Sequence, residues 1–277
     1  MKKRELKNKI LKTLIVGLVA LLFISPLLWM ISSSLKKTSE VFASSFSFFG
    51  ERIRWENYKT IWSGETVNML QAYFNTFKIV VISTIGQLAI ASMAGYAFAK
   101  IEFKGKNFIF MLFLASMMIP TQVTIIPHFM LFKTMGLYNS HWAIILPTLF
   151  NATAIFMLRQ FYMGLPTALM EAAKIDGAGH FRIFAQIMMP LTKSALITLM
   201  VLSFVSSWNE YLSPLIFLTK ESLYVVSQVI RWYLLDDLRR YELVMAAATS
   251  AIVPVVILFL ACQKHFVEGL ATSGVKG

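Results

Sequence analysis

The chain has 277 residues, of which 57% are hydrophobic and 14% charged, and its mean hydropathy is +0.65. That composition cannot cover a water-facing surface, so most of the surface meets lipid and a soluble enzyme is excluded. The net charge of +12 would point to nucleic acid in a soluble protein, but here the charges fall between apolar runs and form no phosphate-tracking patch.

In chain order, the first stretch free of Asp, Glu, Lys and Arg runs over 13–35, behind Lys2, Lys3, Arg4, Lys7, Lys9 and Lys12. It exceeds the 7–15 apolar residues of a signal peptide and reads as an uncleaved anchor. Further charge-free stretches cover 79–99, 107–132, 134–158 and 243–263, and a sixth, 194–219, is interrupted only by Glu210. A hydrocarbon core about 30 Å thick needs roughly 20 helical residues, so each stretch suffices for one crossing. The expectation is an all-α integral membrane protein, a single domain over 1–277. Its six transmembrane helices lie near 13–35, 76–99, 107–132, 140–160, 194–219 and 243–263, with an inner loop at 161–193.

Six crossings put both termini on one side. Fifteen of the 26 basic residues then lie in the presumed inner segments, which places both termini in the cytoplasm by the positive-inside rule. The outer segments are 32–73, a short turn near Lys133, and 220–242. Ala91, Gly95 and Ala99 recur every four residues, a smooth stripe suited to close helix packing in lipid. Pro120, Pro127, Pro147, Pro214 and Pro254 each remove a helical hydrogen bond and read as kinks. Cys262 stands alone, and His128, His141, His180 and His265 lack ligand spacing, so neither a disulfide framework nor a metal site is indicated.

The inner loop carries the strongest pattern. Pro166 suits a first helical turn and Gly177 a left-handed cap, so a helix is expected from Pro166 to about Asp176. Isolated helices shorter than about 12 to 15 residues are barely stable in water, so this one needs something to dock against. Ala168, Ala172 and Ala173 offer it a small-residue surface, with Glu171 beside them as a charged contact. Asp176 opposes the helix dipole and either caps the next helix or faces a partner. An amphipathic helix lying on the membrane surface remains the alternative from residue physics alone.

The loop has Glu171, Ala172, Ala173, then Asp176, Gly177 and Ala178, then Ile187, Met189 and Pro190. In this it resembles the permease subunits of ATP-binding-cassette importers, whose hallmark is Glu-Ala-Ala, three residues, Gly, nine residues, Ile-x-Leu-Pro. Only Met189 departs from the pattern, and a Leu to Met change conserves volume. Trp208-Asn209-Glu210-Tyr211-Leu212-Ser213-Pro214-Leu215 and the ending from Lys264 to Gly277 resemble the carbohydrate branch, the maltose-permease type.

The resemblance implies a type I importer permease fold whose cytoplasmic coupling helix carries Glu171, Ala172, Ala173, Asp176, Gly177 and Ala178. It also implies an unlike second permease, an extracytoplasmic sugar-binding protein and two cytoplasmic ATPase subunits holding ATP and Mg, in a bacterial or archaeal cell membrane. The chain itself has no Gly-x-x-x-x-Gly-Lys-Ser/Thr loop to cradle nucleotide phosphates, so no cofactor is expected on it.

Glu210 is the one acidic residue inside an expected span, where a charge costs roughly 2.5–3.5 kcal/mol at mid-bilayer and so faces protein or water. Trp208 and Tyr211, three apart, would share a helical face able to stack on a sugar, with Asn209 or Glu210 bonding hydroxyls. Asn151 is grouped with these four as a candidate for the substrate pathway. The same cluster would equally serve to hold the bundle together. A secondary transporter would carry more intramembrane ionisable residues and inverted repeats, and a membrane-embedded enzyme would carry a catalytic constellation; neither feature is evident. An importer for another small solute remains the rival within the family.

Overall fold

The computed structural model describes residues 2–43, 47–64, 67–235 and 239–274, with side chains from 6 to 264 within those ranges. Among them the regular structure is entirely helical. In order these are α1 (Lys2–Ser34), α2 (Thr38–Val41), α3 (Glu56–Ser63), α4 (Met69–Lys100), α5 (Lys106–Ser116), α6 (Thr121–Thr134), α7 (Trp142–Leu149) and α8 (Ala152–Met163). There follow α9 (Ala168–Ile175), α10 (His180–Ile183), a π-helical turn (Phe184–Met188), α11 (Met189–Leu191), α12 (Lys193–Trp208) and α13 (Leu212–Phe217). After a 3-10 turn (Glu221–Leu223) come α14 (Val226–Leu234) and α15 (Tyr241–Gly274).

Four spans are long and apolar enough to cross a membrane, namely Leu6–Ser34, Met69–Lys100, Trp142–Met163 and Tyr241–Lys264. Among the described residues two bent pairs bring the number to six when each pair is counted as one span: α5 with α6 at 97°, and His180–Leu191 with α12 at 78°. The chain divides into two compact units, one formed by 1–70 and 229–253 and the other by 71–228 and 254–277.

In the first unit every side chain from Leu6 to Leu28 is exposed, as befits a helix surrounded by lipid. The helix begins at Lys2, well before the apolar stretch, because nothing in the basic tail breaks it. Its far end is buried and capped from α3: Asn57 Nδ2 donates to the carbonyls of Ser34 (2.8 Å) and Lys36 (2.9 Å). The Ser34 carbonyl is one of those that a helix terminus leaves without partners.

In the second unit the apolar stretches are not straight rods. The stretch 107–132 bends before Pro120, which is extended and disfavours helix in the residue preceding it. The stretch 134–158 breaks at Phe150–Asn151, past Pro147, and Asn151 restarts the helix by accepting the Ala154 N–H at 2.9 Å. The sixth stretch is likewise discontinuous, because α12 ends at Trp208. At 16 residues α12 is about 24 Å long, short of a full crossing. The small-residue stripe on α4 does its expected work: a Cβ on Gly95 would lie 3.0 Å from the backbone nitrogen of Arg159, so α4 and α8 meet almost backbone to backbone.

Candidate functional site

The loop helix α9 ends as its sequence requires. Gly177 has φ +79°, its N–H donates to the Lys174 carbonyl (3.0 Å), and the Ala178 N–H donates to the Ala173 carbonyl (2.9 Å). This is a Schellman cap, and it needs the left-handed residue that glycine supplies without strain. The helix is shorter than expected, since Pro166 lies before it and Thr167 is its N-cap.

The six loop residues fall on two faces. Glu171, Ala172, Asp176 and Gly177 are exposed, whereas Ala173 is buried and Ala178 half-buried. The alanines therefore do not form one outward surface: Ala173 and Met170 pack into the chain's own core with Leu158, Tyr162, Ile183 and Met188. Asp176 is the C-cap residue and makes no capping bond to α10. The outward face also carries Leu169 and Ile175, with Phe181 beyond the cap; Ile175 is 87% exposed and Phe181 76%. Sequence reasoning passed over these three, although large apolar residues in a water-facing loop were the available signal.

Polar contacts join the loop's first residues and α8 to the neighbouring spans. Lys100 Nζ donates to the Leu165 carbonyl (2.6 Å), Arg159 Nε donates to the Phe98 carbonyl (3.2 Å), and the Arg159 guanidinium lies 4.0 Å from the centre of the Phe110 ring. The hydroxyls of Ser92 and Tyr162 bond at 2.7 Å in the same core. The motif's far end, Ile187 to Pro190, forms the π-helical turn and α11 immediately before the 78° bend into α12. Met170 and Ala173 of α9 thus share one packed core with Ile183 and Met188 and with Ala195 and Leu199 of α12.

The second candidate region is a cavity of about 490 Å³ within the second unit. Ser83 and Gln87 line it from α4, Ser203, Ser206 and Ser207 from α12, and Thr121, Gln122 and Thr124 from α6. Gln87 Nε2 donates to Ser203 Oγ at 2.9 Å, and Ser83 Oγ is fully buried without a partner. Of the five pathway candidates, Asn151 and Glu210 line the cavity, while Trp208, Asn209 and Tyr211 do not.

Glu210 lies in the break between α12 and α13, not within a helix, so the expectation that Trp208 and Tyr211 share a helical face is wrong. Trp208 is buried, stacked on Phe204 (5.7 Å) and edge-on to Tyr73 (5.6 Å). Asn209 Nδ2 donates to the Val205 carbonyl at 2.9 Å, closing α12, and Tyr211 is 39% exposed away from the cavity. Glu210 Oε1 accepts the Ser213 N–H at 2.9 Å and so starts α13. The hydroxyl stripe was readable in principle, since Ser203, Ser206 and Ser207 fall at helical spacing within an apolar stretch.

One rim of this unit is stitched by side chains that bond backbone carbonyls. Asn75 Nδ2 donates to the carbonyls of Ser222 and Tyr224 (both 3.0 Å), and Gln228 Nε2 donates to those of Pro214 (3.2 Å) and Leu218 (2.9 Å). His141 Nε2 lies 3.0 Å from the Leu223 carbonyl, and burial lowers its pKa from the ordinary imidazole value.

Comparison with known proteins agrees with this architecture. Residues 87–272 match the family described as "Binding-protein-dependent transport system inner membrane component". The arabinooligosaccharides transport system permease protein AraQ of Bacillus subtilis (strain 168) is 33% identical over 271 residues, covering 97% of this chain and 96% of that protein. The sn-glycerol-3-phosphate transport system permease protein UgpE of Yersinia pestis is 32% identical over 266 residues, covering 94% of each. A chain from the crystal structure of a bacterial ABC transporter involved in the import of the acidic polysaccharide alginate shares the fold, with TM-score 0.81 at 24% identity over 93% of this chain and 96% of that one. With a continuous family match across most of its spans and relatives aligned over nearly its full length, this chain belongs to the inner membrane components of binding-protein-dependent transport systems.

Proposed function

We propose that this chain is one of two unlike membrane subunits of an ATP-driven importer that takes a sugar or oligosaccharide from an extracytoplasmic binding protein into the cytoplasm. In this reading both termini lie in the cytoplasm, ATP and Mg are held by two partner ATPase subunits, and the chain carries no cofactor of its own. The supporting observation is the two-faced α9. Its inner face is built into the core of the spans, while its outer face leaves Glu171, Leu169 and Ile175 uncovered beside a rigid glycine cap. A short helix with one face unpaired and the other joined to a bent span is suited to receive a stroke from an ATPase and pass it to α12.

The names of the relatives support a sugar, with AraQ named for arabinooligosaccharides. They also keep a second reading open, because UgpE is named for sn-glycerol 3-phosphate. Binding of a neutral-sugar and sugar-phosphate panel by the cognate binding protein separates the two.

The coupling role is tested on the purified complex through ATPase retention, binding-protein-stimulated hydrolysis and uptake. Gly177→Val forces a β-branched residue into a left-handed conformation at a cost of about 1–2 kcal/mol. A Cβ there meets nothing of this chain within 4 Å, so loss of ATPase would report a changed cap or a blocked partner, not an internal clash. Glu171→Ala is expected to weaken ATPase retention or to uncouple hydrolysis from uptake. Wild-type values for both variants in all three assays would show that α9 is not the joint.

A further inference from the structure

The chain's charge is distributed oddly around the cavity. Although the net charge is +12, among the described residues no Lys or Arg lines it. Glu210 is its one carboxylate, and His128, stacked on Phe132, is the other ionisable side chain in the wall. The carboxylate is also held in place: Oε1 accepts the Ser213 N–H at 2.9 Å, and the Glu210 carbonyl accepts the Ser227 hydroxyl at 2.9 Å. The rest of the polar wall is uncharged hydroxyl and amide, including the partnerless Ser83 Oγ and the Gln87–Ser203 pair.

We propose that Glu210 is a charge filter on this chain's side of the solute path, admitting neutral or amino-bearing polyhydroxylated solutes and slowing anionic ones such as sugar phosphates and uronates. Hydroxyl and amide groups exchange hydrogen bonds with a sugar as water does, at little net cost. An anionic solute meets a fixed carboxylate with no guanidinium or ammonium to offset it, and a charged cleft with low-dielectric walls alters local ion concentration by roughly 10- to 1,000-fold. The names of the relatives do not decide this, since they cover both neutral and acidic cargo. The proposal rests on the reading that the cavity belongs to the solute path.

The test uses the whole transporter in proteoliposomes with Cys262→Ser and a reporter thiol, Ser206→Cys, and in a second preparation Thr148→Cys on α7, which also lines the cavity. The probes are a trimethylammonium methanethiosulfonate and a sulfonate methanethiosulfonate, with rates normalised to a free thiol in solution. The cationic reagent should be favoured about tenfold or more, and Glu210→Gln, which can still accept the Ser213 N–H, should bring the ratio to about that of the free thiol. Equal ratios with Glu210 and with Gln at 210 overturn the filter, as does a thiol that neither reagent reaches. Uptake of the sugar retained by the binding protein, measured before and after modification, separates the role of the cavity from that of Glu210. Uptake that persists through complete modification removes the cavity from the path, whereas blocked uptake with an unchanged ratio overturns the filter alone.

Discussion

Single residues in this protein act mainly through what the backbone next to them can tolerate. Gly95 sits where α4 touches α8, so Gly95→Leu must push the two helices apart, at about 1–3 kcal/mol for overpacking. Gly17 on α1 has nothing within 4 Å and provides the control. The thermal midpoint of the detergent-solubilised complex should fall for Gly95→Leu and stay unchanged for Gly17→Leu. Asn151 works in a different way, by restarting a broken helix with its side-chain oxygen. Loss of such a cap costs about 1 kcal/mol, so Asn151→Ala should lower the same midpoint while Asn151→Ser, which keeps an uncharged acceptor, should largely preserve it.

Elements in the second unit are held by side chains that reach across to the backbone of other segments. The 3-10 turn and its flanks, 218–226, have few backbone bonds of their own and depend on Asn75, His141 and Gln228. Burial lowers the His141 pKa below the ordinary value of about 6.5. The sign follows from the depressed pKa: the stabilising contribution is complete above the ordinary value and is lost as pH falls through the lowered one. Hydrogen exchange of the amides at 218–226 should therefore speed up more on acidification from pH 7.5 to 5 in the wild type than in His141→Gln, after correction for intrinsic exchange. Equal acid sensitivity in both would assign the effect to other groups.

For the molecule as a whole, the orientation proposed from charge makes a direct prediction. Thiols placed at Lys174 in α9 and at Lys220 beside the 3-10 turn, in a Cys262→Ser background, should be labelled by an impermeant reagent from opposite faces of the membrane. Lys220 represents the outer segment 220–242 because 236–238 lie outside the described residues. Labelling of both positions from one face would sink the six-crossing model. The bent pairs bear on the same question, since α5 and α6 meet at 97° and neither alone is long enough to cross.

The sequence by itself determined the membrane class, the number of apolar stretches, the α4 packing stripe and the Gly177 cap, because each follows from local rules. Hydrocarbon thickness sets the length of a stretch, a missing Cβ allows close approach, and a left-handed residue calls for glycine. The loop motif and its spacing to Pro190 were equally local, and they carried the family resemblance that the comparisons bear out. Only the tertiary structure decided which faces those elements present. Ala173 turned inward because Met170 and the 183–188 segment supplied a core for it, and Trp208 left the expected pathway because Phe204 and Tyr73 enclose its ring. The break at Glu210 was invisible to a hydropathy window, which counts apolar residues and cannot register that a side-chain carboxylate has replaced a helical hydrogen bond. The cavity wall was scattered in sequence over six helices and the breaks at Asn151 and Glu210, so its composition, many hydroxyls and a single carboxylate, emerged only when folding brought residues 79 to 217 together.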